Sequence, residues 1–192
     1  MAFLLCVEFS DYGVVREVGS CVSGYLIGRY VYNQQSTINN QQSTINNGAI
    51  KMERYAYFSP VIVSAEELKG AYAFAVDIAK KHNSRLTVLV NSISNSEQFL
   101  KKIFTEQETN KLRRYEAIVK NGLDIELKSP DGFKDYQSYG VILAIHSSPK
   151  AINKIESNDQ TKAVVAVAEV NELAGHLVEW KKTKGVVELK QQ

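Results

Sequence analysis

Residues 139–150 read YGVILAIHSSPK. Five apolar residues, Val141 to Ile145, follow one another without a break, the pattern of a strand covered on both faces. His146 and Ser147 come next. Ser148 and Pro149 then form the N-cap and N1 pair with which a helix begins, and its apolar face continues through Ile152 and Ile155. A buried strand that runs at once into a helix start is half of a βαβ unit, so this stretch predicts a parallel sheet covered by helices.

The same alternation continues outward on both sides. Downstream, Ala163–Val167 is a second apolar strand, and Asn171 caps a helix bearing Leu173, Leu177 and Trp180. Lys181, Lys182 and Lys184 suit the end of that helix, Gly185 stops it, and Val186–Leu189 closes as a strand. Upstream, Leu86–Val90 is a buried strand, and Tyr55–Val63 is a strand that Pro60 interrupts. Between them Ser64 and Glu67 make a capping box for a helix with Leu68, Tyr72, Ala75 and Ala79 on one face. The segment after Asn95 predicts two helices. One carries Phe99, Leu100, Ile103 and Phe104; the other carries Leu112, Tyr115, Ile118 and Val119 and stops at Asn121–Gly122. Leu123–Leu127 reads as a strand with one wet face, and Asp131–Ser138 as one or two helical turns. The expected fold is α/β and three-layered: a mostly parallel sheet of about six strands with helices on both faces, joined by right-handed crossovers.

A boundary precedes this domain. Residues 34–47 are one heptapeptide, QQSTINN, written twice. One apolar residue per seven lacks the a/d pair of a coiled coil, and the amide-rich composition reads as a polar linker. The expected organisation is therefore a small β-rich N-terminal element over 1–32, a linker over 33–51 and the α/β domain over 52–192. So small a ribbon cannot stand alone. Its Tyr25, Ile27, Tyr30, Val31 and Tyr32 must pack on the domain or on a second subunit, which makes a homodimer the expected state.

Composition narrows the function classes. Of 192 residues, 44% are hydrophobic and 23% charged, so a core forms without disulfides. Lys and Arg number 23 against 21 Asp and Glu, which removes the electrostatic argument for a nucleic-acid or acidic-membrane binder. Basic runs such as Lys101–Lys102 and Arg113–Arg114 alternate with acids and read as solvated helix faces. No stretch approaches the roughly 18 apolar residues of a membrane span. The N-terminus lacks the basic start of a secretory signal, and Cys6 and Cys21 form no C-x-x-C pair. Both point to a cytoplasmic protein with reduced thiols.

The named catalytic signatures are missing. There is no G-x-G-x-x-G, G-x-S-x-G or H-E-x-x-H, and His82, His146 and His176 carry no metal spacing. No cofactor and no metal are expected. Ser147 and Lys150 match S-x-x-K but without its partner motifs, so they read as a helix start. Position is more informative, because ligands of open α/β sheets bind beyond the carboxyl ends of the strands. There the sequence places Ser64, Asn91, Ser92, His146, Ser147, Ser148 and Glu169. Helix N-termini at that edge offer N–H groups, so a small anionic ligand is the expected partner, although every helix start needs a capping residue as well. His146, which titrates near neutral pH, is the leading acid/base candidate. His82 is expected to face a helix dipole, and His176 to face solvent or pack on Trp180. The expected function is a small cytosolic binding or interaction protein that self-associates and carries a small-anion site. The alternative is an enzyme using His146 with Ser147 or Glu169.

Overall fold

In the computed structural model of the chain, residues 30–31, 52–169 and 175–191 are described. The strands are β1 (Tyr30–Val31), β2 (Glu53–Ser59), β3 (Leu86–Val90), β4 (Ile118–Lys120), β5 (Leu123–Lys128), β6 (Gly140–Ile145), β7 (Thr161–Glu169) and β8 (Val187–Gln191). The helices are α1 (Ala65–Lys81), α2 (Glu97–Leu100), α3 (Glu106–Arg113), α4 (Pro149–Ser157) and α5 (Gly175–Lys184). The strands lie in the order β1-β8-β2-β7-β6-β3-β5-β4. The pairs from β8 to β5 are parallel; β4 joins β5 antiparallel, and β1 joins β8 antiparallel. The fold is thus α/β, with a mostly parallel sheet between helices. The rest of the 1–32 element, the repeat linker and Asn171–Leu173 lie outside the described residues.

The direction of each crossover explains the layers. The chain moves toward the β4 edge on leaving β2 through α1, and again on leaving β3 through α2 and α3. It moves toward the β8 edge through α4, from β6 to β7, and through α5, from β7 to β8. Right-handed crossovers in opposite directions land on opposite faces of a sheet. Two cores result. Leu68, Tyr72, Ala75, Leu100 and Leu112 pack with Val88, Leu143 and Val165 on one face. Ile152, Ile155, Leu177 and Trp180 pack with Ile142, Val164 and Ala166 on the other. The alternation along β6, Leu143 to one core and Ile142 to the other, is the period of a strand buried on both sides. Gly140 opens β6 at φ +66°, and a Cβ there would lie 2.4 Å from the Arg85 carbonyl oxygen, so only glycine fits.

Several expectations are corrected. The helix read through Leu112 to Val119 ends at Arg113, and Ile118–Lys120 is the strand β4. Asn121 and Gly122, both at positive φ, make a two-residue hairpin turn into β5 rather than a helix stop. The first strand ends at Ser59, because Pro60 cannot donate to the ladder. The one or two turns expected over Asp131–Ser138 are present as a 3-10 turn, Pro130–Gly132, and a turn closed by the Gln137 N–H donating to the Lys134 carbonyl at 3.1 Å, with Phe133 between them stacked on the buried Tyr139. With β4 counted, the sheet has seven strands from β2 onward rather than six.

Candidate functional site

β3 and β6 are neighbours whose chains leave in opposite directions, which makes their shared C-terminal end a topological switch point. A cleft of about 460 Å³ opens there, extending over the end of β7 to α5. Asn91, the first residue after β3, ties the two strands' loops together. Its Nδ2 donates to the His146 carbonyl, and its Oδ1 accepts from the Ser148 N–H at 2.8 Å.

His146 follows β6 directly. Its N–H donates to the Val167 carbonyl at 2.8 Å, which extends the β6–β7 ladder by one bond. Its backbone then enters the left-handed region at φ +48°, a costly conformation for a residue with a Cβ. That turn sets the imidazole against Phe99, ring centroids 4.8 Å apart. Burial holds the imidazole below the ordinary histidine pKa; the Glu169 carboxylate opposes this, and the Lys102 charge adds to it. Glu169, at the end of β7, accepts from the Val63 N–H at 3.3 Å, and Lys102 donates to the Val63 carbonyl at 2.9 Å.

The start of α4 is more fully occupied than its sequence suggests. Ser148 caps the helix, its Oγ accepting from the Ala151 N–H, while its own N–H belongs to Asn91. Pro149 has no N–H to offer. Little is left in that turn for an anion. Ser147 is buried, and its Oγ has no partner among the described residues. The Ser147 carbonyl accepts from His176 Nε2 at 2.7 Å. His176 therefore does not sit idle in solvent or merely against Trp180; it fastens α5 to the β6–α4 loop and lines the cleft.

The structure brings Asn91, His146, Ser147, Ser148 and Glu169 together around one cleft. It leaves two expected residues outside. Ser64 is taken up in the α1 capping box with Glu67, and Ser92 pairs with Ser94 at 2.8 Å on the far side of Asn91. Phe99 and His176 complete the walls. No local pattern marked either one, since Phe99 reads as an ordinary apolar helix position and His176 as a helix surface position. Among the described residues no three His, Cys, Asp or Glu side chains converge to hold a metal ion. The walls are mainly Phe99, Pro149, Ala168 and Leu177, with the His146 and His176 imidazoles and the Glu169 carboxylate between them. Such a surface can pack a flat ligand and hydrogen-bond its edge. Comparison with protein families, curated proteins and solved structures finds no match for this chain.

Proposed function

We propose that this protein binds a small, largely apolar organic ligand in the cleft at the β3–β6 switch point, with His146 and Glu169 as its polar contacts. One observation carries the reading. A histidine holds the left-handed position after β6, where glycine would cost nothing, and there its ring forms a wall of the cleft. The small anion expected from the helix start fits the interior less well, because the Glu169 carboxylate is already there and the Ser148 and Ala151 amides are engaged. Self-association through the N-terminal element stays part of the proposal, its support being the apolar, strand-forming composition of residues 25–32, of which Tyr30–Val31 already pair with β8 of the same chain.

The test is a titration of the full chain with small aromatic fragments, benzimidazole and indole among them, following the His146, Phe99 and His176 ring resonances by NMR. The reading expects shifts at His146 and at the cleft rings of Phe99 and His176, and expects the Phe99 and His176 shifts to be lost in His146→Gly. A His146 signal unmoved by every fragment overturns it. The second reading, acid–base catalysis, draws on the lowered pKa, which keeps His146 neutral and able to accept a proton at pH 7 while Glu169 would steady the imidazolium.

A further inference from the structure

Asn91 also rims a second depression, a polar groove of about 800 Å³ beyond the ends of β3 and β5. Ser92, Ser94, Asn110 and Ser129 line it with hydroxyls and an amide. Its charges are not equally engaged. Arg113 is held by Glu97 at 2.5 Å, and Asp131 by Lys150 at 2.6 Å. Arg114 has no acidic partner among the described residues, so it is the cation the groove can offer to a ligand.

Backbone strain adds an independent observation. Among the described residues, four other than glycine have positive φ: Asn83, Tyr115, Asn121 and His146. Asparagine tolerates that conformation in turns. The other two stand one in the cleft, His146, and one in the groove, Tyr115, whose bulk suits that conformation least. Tyr115 occupies the position just past α3 where glycine is usual, and 72% of its surface is exposed. The hydrogen bonds of the helix end, Tyr115 N–H to the Leu112 carbonyl at 3.0 Å and Glu116 N–H to the Lys111 carbonyl at 3.1 Å, account for the backbone turn but not for the exposed tyrosine side chain, which no core packing holds.

We infer that cleft and groove are two halves of one site, and that its ligand is a planar aromatic head bearing an anionic tail, of the nucleotide class. This rests on the cleft reading above. The head lies against Phe99 and His146, within reach of Glu169, where an anion would be repelled. The tail passes over Asn91 to Arg114, whose guanidinium offers a phosphate paired, charge-assisted hydrogen bonds.

Calorimetry on the full chain with adenosine, adenosine monophosphate and inorganic phosphate tests this. The monophosphate should bind at least tenfold tighter than adenosine. Arg114→Gln should abolish that gain and leave adenosine affinity unchanged, and His146→Gly should weaken both. Equal affinity for adenosine and its monophosphate, or a gain that survives Arg114→Gln, overturns the two-part site and leaves the cleft reading intact. Phosphate alone binding as tightly as the monophosphate overturns it in favour of a bare anion site. No heat from adenosine or its monophosphate overturns the ligand class, and the fragment titration then decides the cleft reading by itself.

Discussion

At His146 the backbone turns left-handed immediately after a fully buried strand, and the imidazole gains a ring neighbour in Phe99, the two planes tilted by 45°. Glycine would relieve about 1 kcal/mol of backbone strain and lose a comparable amount of ring packing. His146→Gly should therefore unfold in urea within about 1 kcal/mol of the parent while losing fragment binding. The ring also predicts a pH dependence. Its folded pKa lies below the ordinary value of 6.5, because burial and Lys102 outweigh Glu169. The unfolded chain then takes the proton more readily, so its contribution to stability is full above about pH 6.5 and falls as pH drops toward the lowered folded value. Glu67, Glu108 and Glu156 are also held below their usual 4.5, but their contributions are lost only as pH falls below that range. Urea midpoints measured from pH 8 to pH 5 should decline, and the decline should shrink in His146→Gly. An identical decline in both proteins would remove His146 from the account.

Between elements, one partly buried carboxylate joins three of them. Glu156 on α4 accepts two bonds from Arg54 on β2, at 2.8 and 2.9 Å, and one from Trp180 Nε1 on α5 at 2.7 Å. Burial opposes its ionisation, yet the hydrogen bonds from Arg54 and Trp180 prevail and hold its pKa low. Arg54→Met strands that charge and should cost about 3 kcal/mol by urea unfolding, in the range for breaking a buried pair. Replacing Arg54 and Glu156 together by apolar residues should recover much of the loss. The β4–β5 hairpin answers to a different term. Gly122 sits at φ +77° with open space around its Cα, so Gly122→Ala should cost about 1 kcal/mol through backbone strain alone. This hairpin also shows why its sequence misled. The spacing of Leu112, Tyr115, Ile118 and Val119 suits a helix, and a helix end and a hairpin both use Asn-Gly. The pairing of Ile118 with Ile125 across the turn decides for the strand.

On the scale of the molecule, the N-terminal quarter is where mass and stability measurements bear on the proposal. Deleting Gln34–Asn40, one copy of the repeat, should change unfolding free energy by less than about 1.5 kcal/mol, because linker length costs little entropy. Removing residues 1–48 should convert a dimer to a monomer by light scattering; an unchanged mass would end the self-association proposal. The sheet itself should tolerate neither kind of cut, since β3, β6 and β7 are buried along nearly their whole length and carry both cores.

Taken alone, the sequence determined the class of fold and most element positions. Leu86–Val90, Val141–Ile145 and the capped starts at Ser64 and Ser148 are each set by residues within about one helical turn or one strand length, and such local patterns are readable in a chain. It also brought five cleft residues onto one list, since every strand end in a parallel sheet faces the same way. Strand order is another matter. It depends on which apolar faces meet across long separations, and that placed β6 beside β3 and β7 rather than at an edge. Only that order brings Asn91 to the β6–α4 loop, draws His176 from a helix surface to the Ser147 carbonyl and stands Phe99 against His146. Those contacts join residues 29 to 57 positions apart, and no periodicity in the chain reaches so far.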